Sequence, residues 1–261
     1  MKNFIEKTYF LSASDANAEG LLSYTSLTAN IIDIATMHAN ELGIGNATMK
    51  EMNAGWILSR LTIEMNRLPE VNSHYIIKTW MEDFNRHFST RCFKIYSPDG
   101  FVYGYSRSIW VVIETIEHKN IGLSHFNMPK ENILGESIPI PRQEKHFLIK
   151  EKENNEGHGV VSTAEPYFYK FQYCDLDYYR HVNTVRYVSL LMNQFTLQEH
   201  DETFVSRIEL SFLHEASYAM ATKLLRYEDP DNPLVTSFQL SDFANGNALL
   251  FARVKRDLYN A

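Results

Sequence analysis

Hydrophobic residues recur along the chain at two spacings, one typical of helices and one typical of strands. In the first half, a short strand is predicted over residues 7–11, and a helix over residues 24–42 that ends at Gly43. One face of this helix carries Leu27, Ile31, Ile34, Ala35 and Leu42. Longer strands follow at residues 56–65, 74–84, 88–96 and 101–114.

The second half repeats this order of elements. A strand at about residues 167–173 leads into a polar turn and then into a helix, whose buried stripe is Val185, Val188, Met192 and Phe195. Tight turns at Ser97–Gly100 and at Asn245-Gly246 predict a hairpin in each half. The strands of the second half are predicted near residues 204–214, 220–227, 235–242 and 248–255.

One helix followed by several long strands can bury its apolar face only if the sheet wraps around it. Two such units in tandem predict an α+β chain with a double hot-dog fold, in which each long antiparallel sheet surrounds a central helix. The predicted boundaries are an N-terminal hot-dog domain at 1–125, a linker at 126–160 and a C-terminal hot-dog domain at 161–261. The charged end of the linker, residues 150–159, is predicted to be exposed.

Composition narrows the class of protein. A hydrophobic fraction of 44% and an aromatic fraction of 13% exclude a disordered chain, and a net charge of -7 argues against a nucleic-acid surface. No apolar run has membrane length and the first residues lack a signal-peptide core, so we expect a cytoplasmic protein without a membrane partner. The chain has only two cysteines, and its histidines do not stand at metal-ligand spacing from acids or cysteines, so we expect no metal. It has no Gly-rich phosphate loop, so we expect no nucleotide cofactor.

The turn before the second helix concentrates the candidate chemistry. Asn183 suits the N-cap, and His181 precedes the first free backbone N–H groups, which can stabilise developing negative charge. A histidine next to such donors, with Asp177 just upstream, would supply a base and an oxyanion site for carbonyl chemistry. The alternative is that Asp177 and His181 only brace the turn.

Other polar residues have structural interpretations. His38 lies close to the apolar face of the first helix and is predicted to be a hydrogen-bonded core histidine. Trp56 is predicted to be core or tunnel wall, and Cys174 is disfavoured as a nucleophile because nothing nearby lowers its pKa. Glu215, by residue pattern alone, is a solvated acid at a strand end that shares a face with Ser211 and Leu213.

The chain resembles the bacterial form of the acyl-acyl-carrier-protein (acyl-ACP) thioesterase family from Asn17 to about Arg256. In the second half the resemblance rests on Asp175-Leu-Asp177, His181-Val-Asn183, Tyr187 and Glu215. In the first half it rests on His38-Ala39, Trp56-Ile-Leu-Ser-Arg-Leu-Thr-Ile-Glu64, Thr79-Trp-Met-Glu82, Arg91-Cys-Phe93, Asp99-Gly100 and Ser106-Arg-Ser-Ile-Trp110.

The resemblance implies hydrolysis of the thioester of a fatty acyl chain on acyl carrier protein, in fatty acid biosynthesis. It implies that Asp177 polarises the site, that His181 is the general base or orients water, and that Glu215 helps to activate the water. Asn183 would support the turn. Tyr179 stands where the family has a catalytic asparagine, and one hydroxyl cannot replace both functions of an amide.

The first half lacks a histidine at its corresponding turn, so we expect one catalytic centre per chain. The first half would then bind the acyl chain through Trp56, Ile31 and Ile34. A homodimer is implied by the resemblance alone. Three alternatives stay open, namely a non-catalytic hot-dog protein that binds acyl-ACP or acyl-CoA, an acyl-CoA thioesterase, and a hot-dog dehydratase.

Overall fold

The computed structural model describes residues 3–116, 119–144 and 165–259. Contacts divide the chain into two compact units, Met1–Pro141 and Arg142–Ala261. None of the helices in the described ranges is both long enough and apolar enough to cross a membrane. The predicted exposed run at 150–159 lies outside the described residues.

The N-terminal unit is an antiparallel sheet around one long helix, with the strand order β1-β3-β4-β5-β2. Ser23 caps the helix by accepting a hydrogen bond from the amide of Ser26, and Leu27, Ile31 and Ile34 are fully buried against the sheet. The elements are β1 Phe4–Phe10, α1 Tyr24–Glu41, α2 Asn46–Glu51, β2 Ala54–Met65, β3 His74–Phe84, β4 Ser89–Tyr96 and β5 Val102–Glu114.

The C-terminal unit repeats this design with the corresponding strand order β6-β8-β9-β10-β7. Its elements are β6 Tyr167–Lys170, α3 Thr184–Met192, α4 Leu197–Glu202, β7 Thr203–Phe212, β8 Ala221–Asp229, β9 Asn232–Asp242 and β10 Ala248–Leu258. The repeat inferred from the hydrophobic pattern therefore holds at the level of strand pairing. In α3, Val188 and the nearby Phe195 are buried as predicted, whereas Val185 and Met192 are only half-buried.

Two short helices were not predicted. In each unit, α2 or α4 connects the central helix to the first long strand. A capping box at the start of α4 marks that helix in the sequence, because Thr196 and Glu199 each accept the other's backbone amide. α2 has no side-chain cap, and the sequence carries no comparable signal for it.

A segment of the predicted linker packs on the N-terminal unit. The Trp80 indole donates to the carbonyl of Glu136 at 2.7 Å, and Ile138 and Ile140 are buried against Trp80 and Cys92. Arg107, in a buried ion pair with Glu82 (Nε–Oε2 3.0 Å), donates to the carbonyl of Ile140. Residues up to Pro141 thus belong to the N-terminal unit.

A cluster of charges surrounds Phe195 in the C-terminal unit. The guanidiniums of Arg226 and Arg256 lie 4.9 and 4.7 Å from the centre of the Phe195 ring, and both donate to Glu199. Burial by itself raises the pKa of the Glu199 carboxyl. The hydrogen bonds from Arg226 and Thr196 outweigh it and lower this pKa to about 2.

We expect Glu199→Gln to make the C-terminal unit less sensitive to acid. A carboxyl whose pKa is depressed by folding stabilises the folded state above its ordinary pKa of 4.5, and this contribution is lost as the pH falls towards 2. Urea unfolding at neutral pH and across that acid range measures the effect. Glu202→Gln, which changes an exposed acid on the same helix, is the control. Parallel pH profiles for wild type and Glu199→Gln would contradict the assignment.

Candidate active site

Backbone hydrogen bonds shape the turn that leads into α3. The amide of Asp177 donates to the carbonyl of His181 at 2.8 Å, and that of Asn183 donates to the carbonyl of Asp175. The amide of Val182 donates to the carbonyl of Ala216 at 2.9 Å, and His181 forms a β-bridge with Ser217. The turn is thereby joined to the loop that follows β7, which brings residues 181 and 215 close together.

The Asp177 carboxylate acts on the backbone of the turn. Its Oδ1 accepts the amides of Tyr179 at 2.9 Å and of His181 at 3.1 Å. Asp177 therefore braces the turn, as expected in the alternative to a catalytic role. Asp175 also has a structural position, since it is buried and accepts hydrogen bonds from the Tyr169 hydroxyl and the Gln172 amide.

His181 and Glu215 form a side-chain pair across this turn. The Nε2 of His181 lies 3.4 Å from Oε2 of Glu215, and the two side chains are 37% and 33% exposed. Such a pair can hold a water molecule and take its proton. The expectation that Glu215 shares a strand face with Ser211 and Leu213 is wrong, because β7 ends at Phe212 and the chain then turns back towards His181.

Tyr179 takes part in the turn through its backbone amide only. The residue is 42% exposed, and the centroid of its ring lies 4.1 Å from that of the Tyr178 ring. Within the described residues the Tyr179 hydroxyl makes no hydrogen bond. The structure thus places this residue in the predicted turn without joining its side chain to Asp177 or His181.

Asn183 caps α3, as predicted, by accepting the amide of Val185 at 3.0 Å. Its carbonyl accepts the amide of Arg186 at 2.9 Å. Two amides of the first helical turn are therefore already engaged. The oxyanion site expected at this helix terminus cannot use the amides of Val185 and Arg186. It would have to use other backbone amides near the start of α3.

Tyr187 lies beneath the site and was not predicted as a functional residue. It is buried on α3 and packs edge-on against Phe171 and Phe212. Burial raises the pKa of its phenol, and the negative charges of Glu215 and Asp177 raise it further, against a hydrogen bond from the backbone of Ala216. Its position one helical turn after the N-cap is a sequence signal that could have indicated this location.

The corresponding turn of the N-terminal unit has the same backbone-to-backbone hydrogen bonds and lacks the side-chain pair. The amide of Asn17 donates to the carbonyl of Leu21 at 2.7 Å, and that of Leu22 donates to the carbonyl of Pro69 at 2.9 Å. The Asn17 amide oxygen accepts the amide of Leu21 at 2.8 Å, as Asp177 does for His181. Leu21 thus occupies the place of His181, and Leu68 that of Glu215.

The predicted acyl-binding residues are all packed in the N-terminal unit. Ile31 and Ile34 are fully buried on α1. Trp56 is half-buried, its indole donates to the carbonyl of Ile44 at 2.7 Å, and its ring stacks on Phe126. His38 is confirmed as a hydrogen-bonded core histidine. A role in binding the acyl chain stays a prediction for Ile31, Ile34 and Trp56.

Both cysteines are free, and Cys92 is buried whereas Cys174 is exposed. Within residues 3–116, 119–144 and 165–259, no group of three or more His, Cys, Asp or Glu side chains is placed to hold a metal ion.

The sequence matches two domain models of one family. The acyl-ACP thioesterase N-terminal domain matches residues 2–123, and the acyl-ACP thioesterase C-terminal domain matches residues 161–242. The chain belongs to the acyl-ACP thioesterase family. A similar relative, the oleoyl-acyl carrier protein thioesterase 1 of Arabidopsis thaliana, is 22% identical over 200 residues, which are 72% of this chain and 54% of the relative. The chain spans about half the length of the curated relatives it matches.

Solved structures of acyl-ACP thioesterases have the same fold. One from Bacteroides thetaiotaomicron has a TM-score of 0.83 at 23% identity, with 98% of both chains covered. The 12:0-ACP thioesterase from Umbellularia californica has a TM-score of 0.78 at 14% identity, with 99% of both chains covered. The predicted double hot-dog fold is therefore confirmed.

In this member of the acyl-ACP thioesterase family, the two equivalent turns each contain one residue with left-handed backbone, which is an arginine in one turn and a glycine in the other. Arg180 has a φ of 67°, whereas its counterpart Gly20 has a φ of 73°. We expect Arg180→Gly to raise the free energy of unfolding by about 1 kcal/mol, because side chains with a Cβ disfavour left-handed backbone. Urea denaturation measures this change.

Gly20→Arg is the reciprocal control and should lower stability by a similar amount. The nearest atom to a Cβ added at Gly20 is Val71 Cγ1 at 4.0 Å, so backbone strain alone is tested there. A loss of stability in Arg180→Gly would instead mean that the arginine side chain holds the turn.

Proposed function

We propose that this protein hydrolyses the thioester of a fatty acyl chain carried on acyl carrier protein, and so releases the free fatty acid in fatty acid biosynthesis. The observation that carries the proposal is the His181–Glu215 pair, with 3.4 Å between Nε2 and Oε2. It stands on a turn whose twin in the N-terminal unit has the same backbone and leucines in place of both side chains. Membership in the family supports the choice of reaction and of carrier.

In the proposed mechanism, a water molecule held by His181 and Glu215 attacks the thioester carbonyl. The pair takes one proton from the water as the new C–O bond forms. The tetrahedral intermediate then collapses, the C–S bond breaks, and the pair returns the proton to the departing sulfur. The products are a fatty acid and the free thiol of the carrier. Backbone amides near the start of α3 that Asn183 does not engage would stabilise the oxyanion.

Asp177 holds the geometry of this pair in the proposal. By accepting the amides of Tyr179 and His181, it fixes the backbone from which the imidazole projects. Its negative charge also favours a positive charge that develops on His181 during proton transfer. Asp177→Asn separates the bracing role from the role of the charge. An asparagine can still brace the turn, as the amide oxygen of Asn17 does in the N-terminal unit, but it has no negative charge.

The N-terminal unit would shape the acyl site through Ile31, Ile34 and Trp56, since its turn has no base. We place the enzyme in the cytoplasm and propose a homodimer by analogy with the family. The second candidate is an acyl-CoA thioesterase, and a non-catalytic acyl-binding protein is the third. Tyr179 favours the third, because its hydroxyl is bonded to none of the described residues.

We expect His181→Leu and Glu215→Gln each to lower turnover by at least about a hundredfold, the usual scale for lost general-base assistance. His181→Leu copies Leu21 of the twin turn, so the melting temperature should hardly change. The measurement is the release of free thiol from acyl-ACP and from acyl-CoA at saturating substrate. Near-wild-type turnover in His181→Leu would show that the chemistry lies elsewhere.

The two carriers separate the candidate functions in the same assay. Faster turnover with acyl-ACP supports the proposal, faster turnover with acyl-CoA supports the second candidate, and binding without thiol release supports the third. Asp177→Asn is measured alongside: a fall in turnover with an unchanged melting curve assigns a catalytic role to its charge, and unchanged turnover assigns Asp177 to the brace alone.

We expect Tyr179→Asn to raise turnover roughly tenfold or more, because an added hydrogen bond at a reacting centre contributes about 1–3 kcal/mol. An asparagine has a shorter side chain and offers both a donor and an acceptor near Asp177 and His181. Tyr179→Phe is the control and should leave turnover unchanged, since the hydroxyl has no partner in the described part of the chain. A clear fall in Tyr179→Phe would make the hydroxyl a catalytic group.

A further inference from the structure

The two equivalent turns share a backbone and differ in their outer side chains. The amides of Asp177 and Asn183 bond within the C-terminal turn as those of Asn17 and Ser23 bond within the N-terminal turn. Each residue of the C-terminal turn therefore has a counterpart whose number is lower by 160. A side chain that only one of the turns carries is not required by the backbone that they share.

The C-terminal turn carries three exposed basic residues where the N-terminal turn has none. These residues and their counterparts are Lys170 and Phe10, Arg180 and Gly20, and Arg186 and Ser26. Over residues 170–186 every exposed charged side chain is basic, because Asp175 is buried and Asp177 is half-buried. In a chain with a net charge of -7, this surface is locally positive.

Exposed tyrosines lie among these basic residues. Tyr173 is 81% exposed and Tyr178 is 72% exposed, and alanines occupy both equivalent places in the N-terminal turn. Tyr218, also exposed, lies next to the β-bridge that joins His181 to the loop after β7. Tyrosine and arginine are enriched at the centres of protein–protein interfaces. The composition of this surface is therefore that of a protein-binding surface.

Arg180 is strained and supports nothing around it. It has left-handed backbone where the N-terminal turn has Gly20, which lacks the Cβ that disfavours this conformation. Within the described residues its guanidinium makes neither a hydrogen bond nor an ion pair. Arg186, in contrast, donates to the carbonyl of Cys174 and lies 3.7 Å from Asp175. Strained residues cluster at functional sites, so the free guanidinium of Arg180 points to a contact with another molecule.

We propose that this surface binds an acidic face of the carrier protein that brings the acyl chain. We call it the docking face, and it consists of Lys170, Tyr173, Tyr178, Arg180, Arg186 and Tyr218. The inference rests on the function proposed above and names the protein contact which that function needs. The positive charges steer the carrier to the side of the unit that holds His181 and Glu215, and the tyrosines are covered on contact. The bound carrier then presents its thioester to the catalytic pair.

The decisive variant gives the C-terminal turn the outer residues of its twin, by Tyr173→Ala, Tyr178→Ala and Arg180→Gly together. The N-terminal turn folds with these residues, so the melting curve should show a retained fold.

The matched control is Lys255→Gln with Leu258→Ala, which also removes one exposed positive charge and exposed apolar surface from the same unit. Lys255 pairs across the sheet with Arg207, and β7 ends five residues later at Phe212. At about 3.4 Å per residue, the control lies roughly 17 Å or more from the end of β7 that leads to the site.

The first measurement is the direct binding of apo-carrier protein, which has neither an acyl chain nor the phosphopantetheine arm and so reports the protein contact alone. We expect the triple variant to raise Kd at least about tenfold, because a few aromatic and arginine residues contribute most of the binding energy of an interface. Added salt should weaken the binding of wild type more than that of the variant. The control should keep the wild-type Kd.

The second measurement is kcat/KM for acyl-ACP, for acyl-CoA and for acyl-pantetheine, which has neither a protein nor a phosphate. The triple variant should lower the ratio of kcat/KM for acyl-ACP to that for acyl-pantetheine by a similar factor, through KM for acyl-ACP. The ratio of acyl-CoA to acyl-pantetheine should stay at its wild-type value. The control should keep both ratios.

Each other outcome overturns one part of the account. If the triple variant binds apo-carrier protein as wild type does, the docking face is wrong. If that binding is unchanged and the ratios for acyl-ACP and acyl-CoA fall together, Arg180 binds the phosphate of the arm instead. If wild type binds apo-carrier protein through this face and hydrolyses no acyl-ACP, the proposed function fails and the docking face stands. Should the triple variant not fold, Arg180→Gly alone is judged by the same Kd and the same salt dependence.

Discussion

In each unit, one backbone hydrogen bond positions the start of the central helix and the turn before it. It joins the turn before the central helix to the loop after the first long strand, from the amide of Val182 to the carbonyl of Ala216 and from that of Leu22 to that of Pro69. In each unit the bonded amide belongs to the residue just before the N-cap of the central helix, so the bond holds the start of that helix against the loop. It brings two segments more than thirty residues apart into contact, and His181 and Glu215 come together as a result.

Folding and chemistry are assigned to different atoms of the same turn. The brace requires only a short side chain with an oxygen, which Asp177 supplies in one unit and Asn17 in the other. The side chains at positions 181 and 215 are not needed for the brace, since leucines occupy the equivalent places. A duplicated scaffold with different side chains thus distinguishes the residues that build the turn from those that can act in it.

Most of the fold could be predicted from local patterns. Alternating and helical periodicity, with turn residues such as Asn245-Gly246, indicated the two central helices, the long strands and their repetition. What could not be predicted depends on distant contacts. Glu215 leaves its strand because residue 216 bonds to residue 182, the packing of residues up to Pro141 depends on Arg107 and Trp80, and His38 meets Arg91 across 53 positions. The site residues were recognised through family resemblance, and their grouping required the structure.

The duplicated turn has a consequence for how such a chain can evolve. The brace contacts only backbone atoms at positions 21 and 181, so it places no constraint of its own on the identity of either side chain. Selection that preserves the brace would therefore not retain the histidine, whereas selection for activity would. The N-terminal turn of each chain therefore shows the form that the C-terminal turn would take without its catalytic side chains. A descendant that lost activity could replace His181 and Glu215 and keep the backbone of the turn.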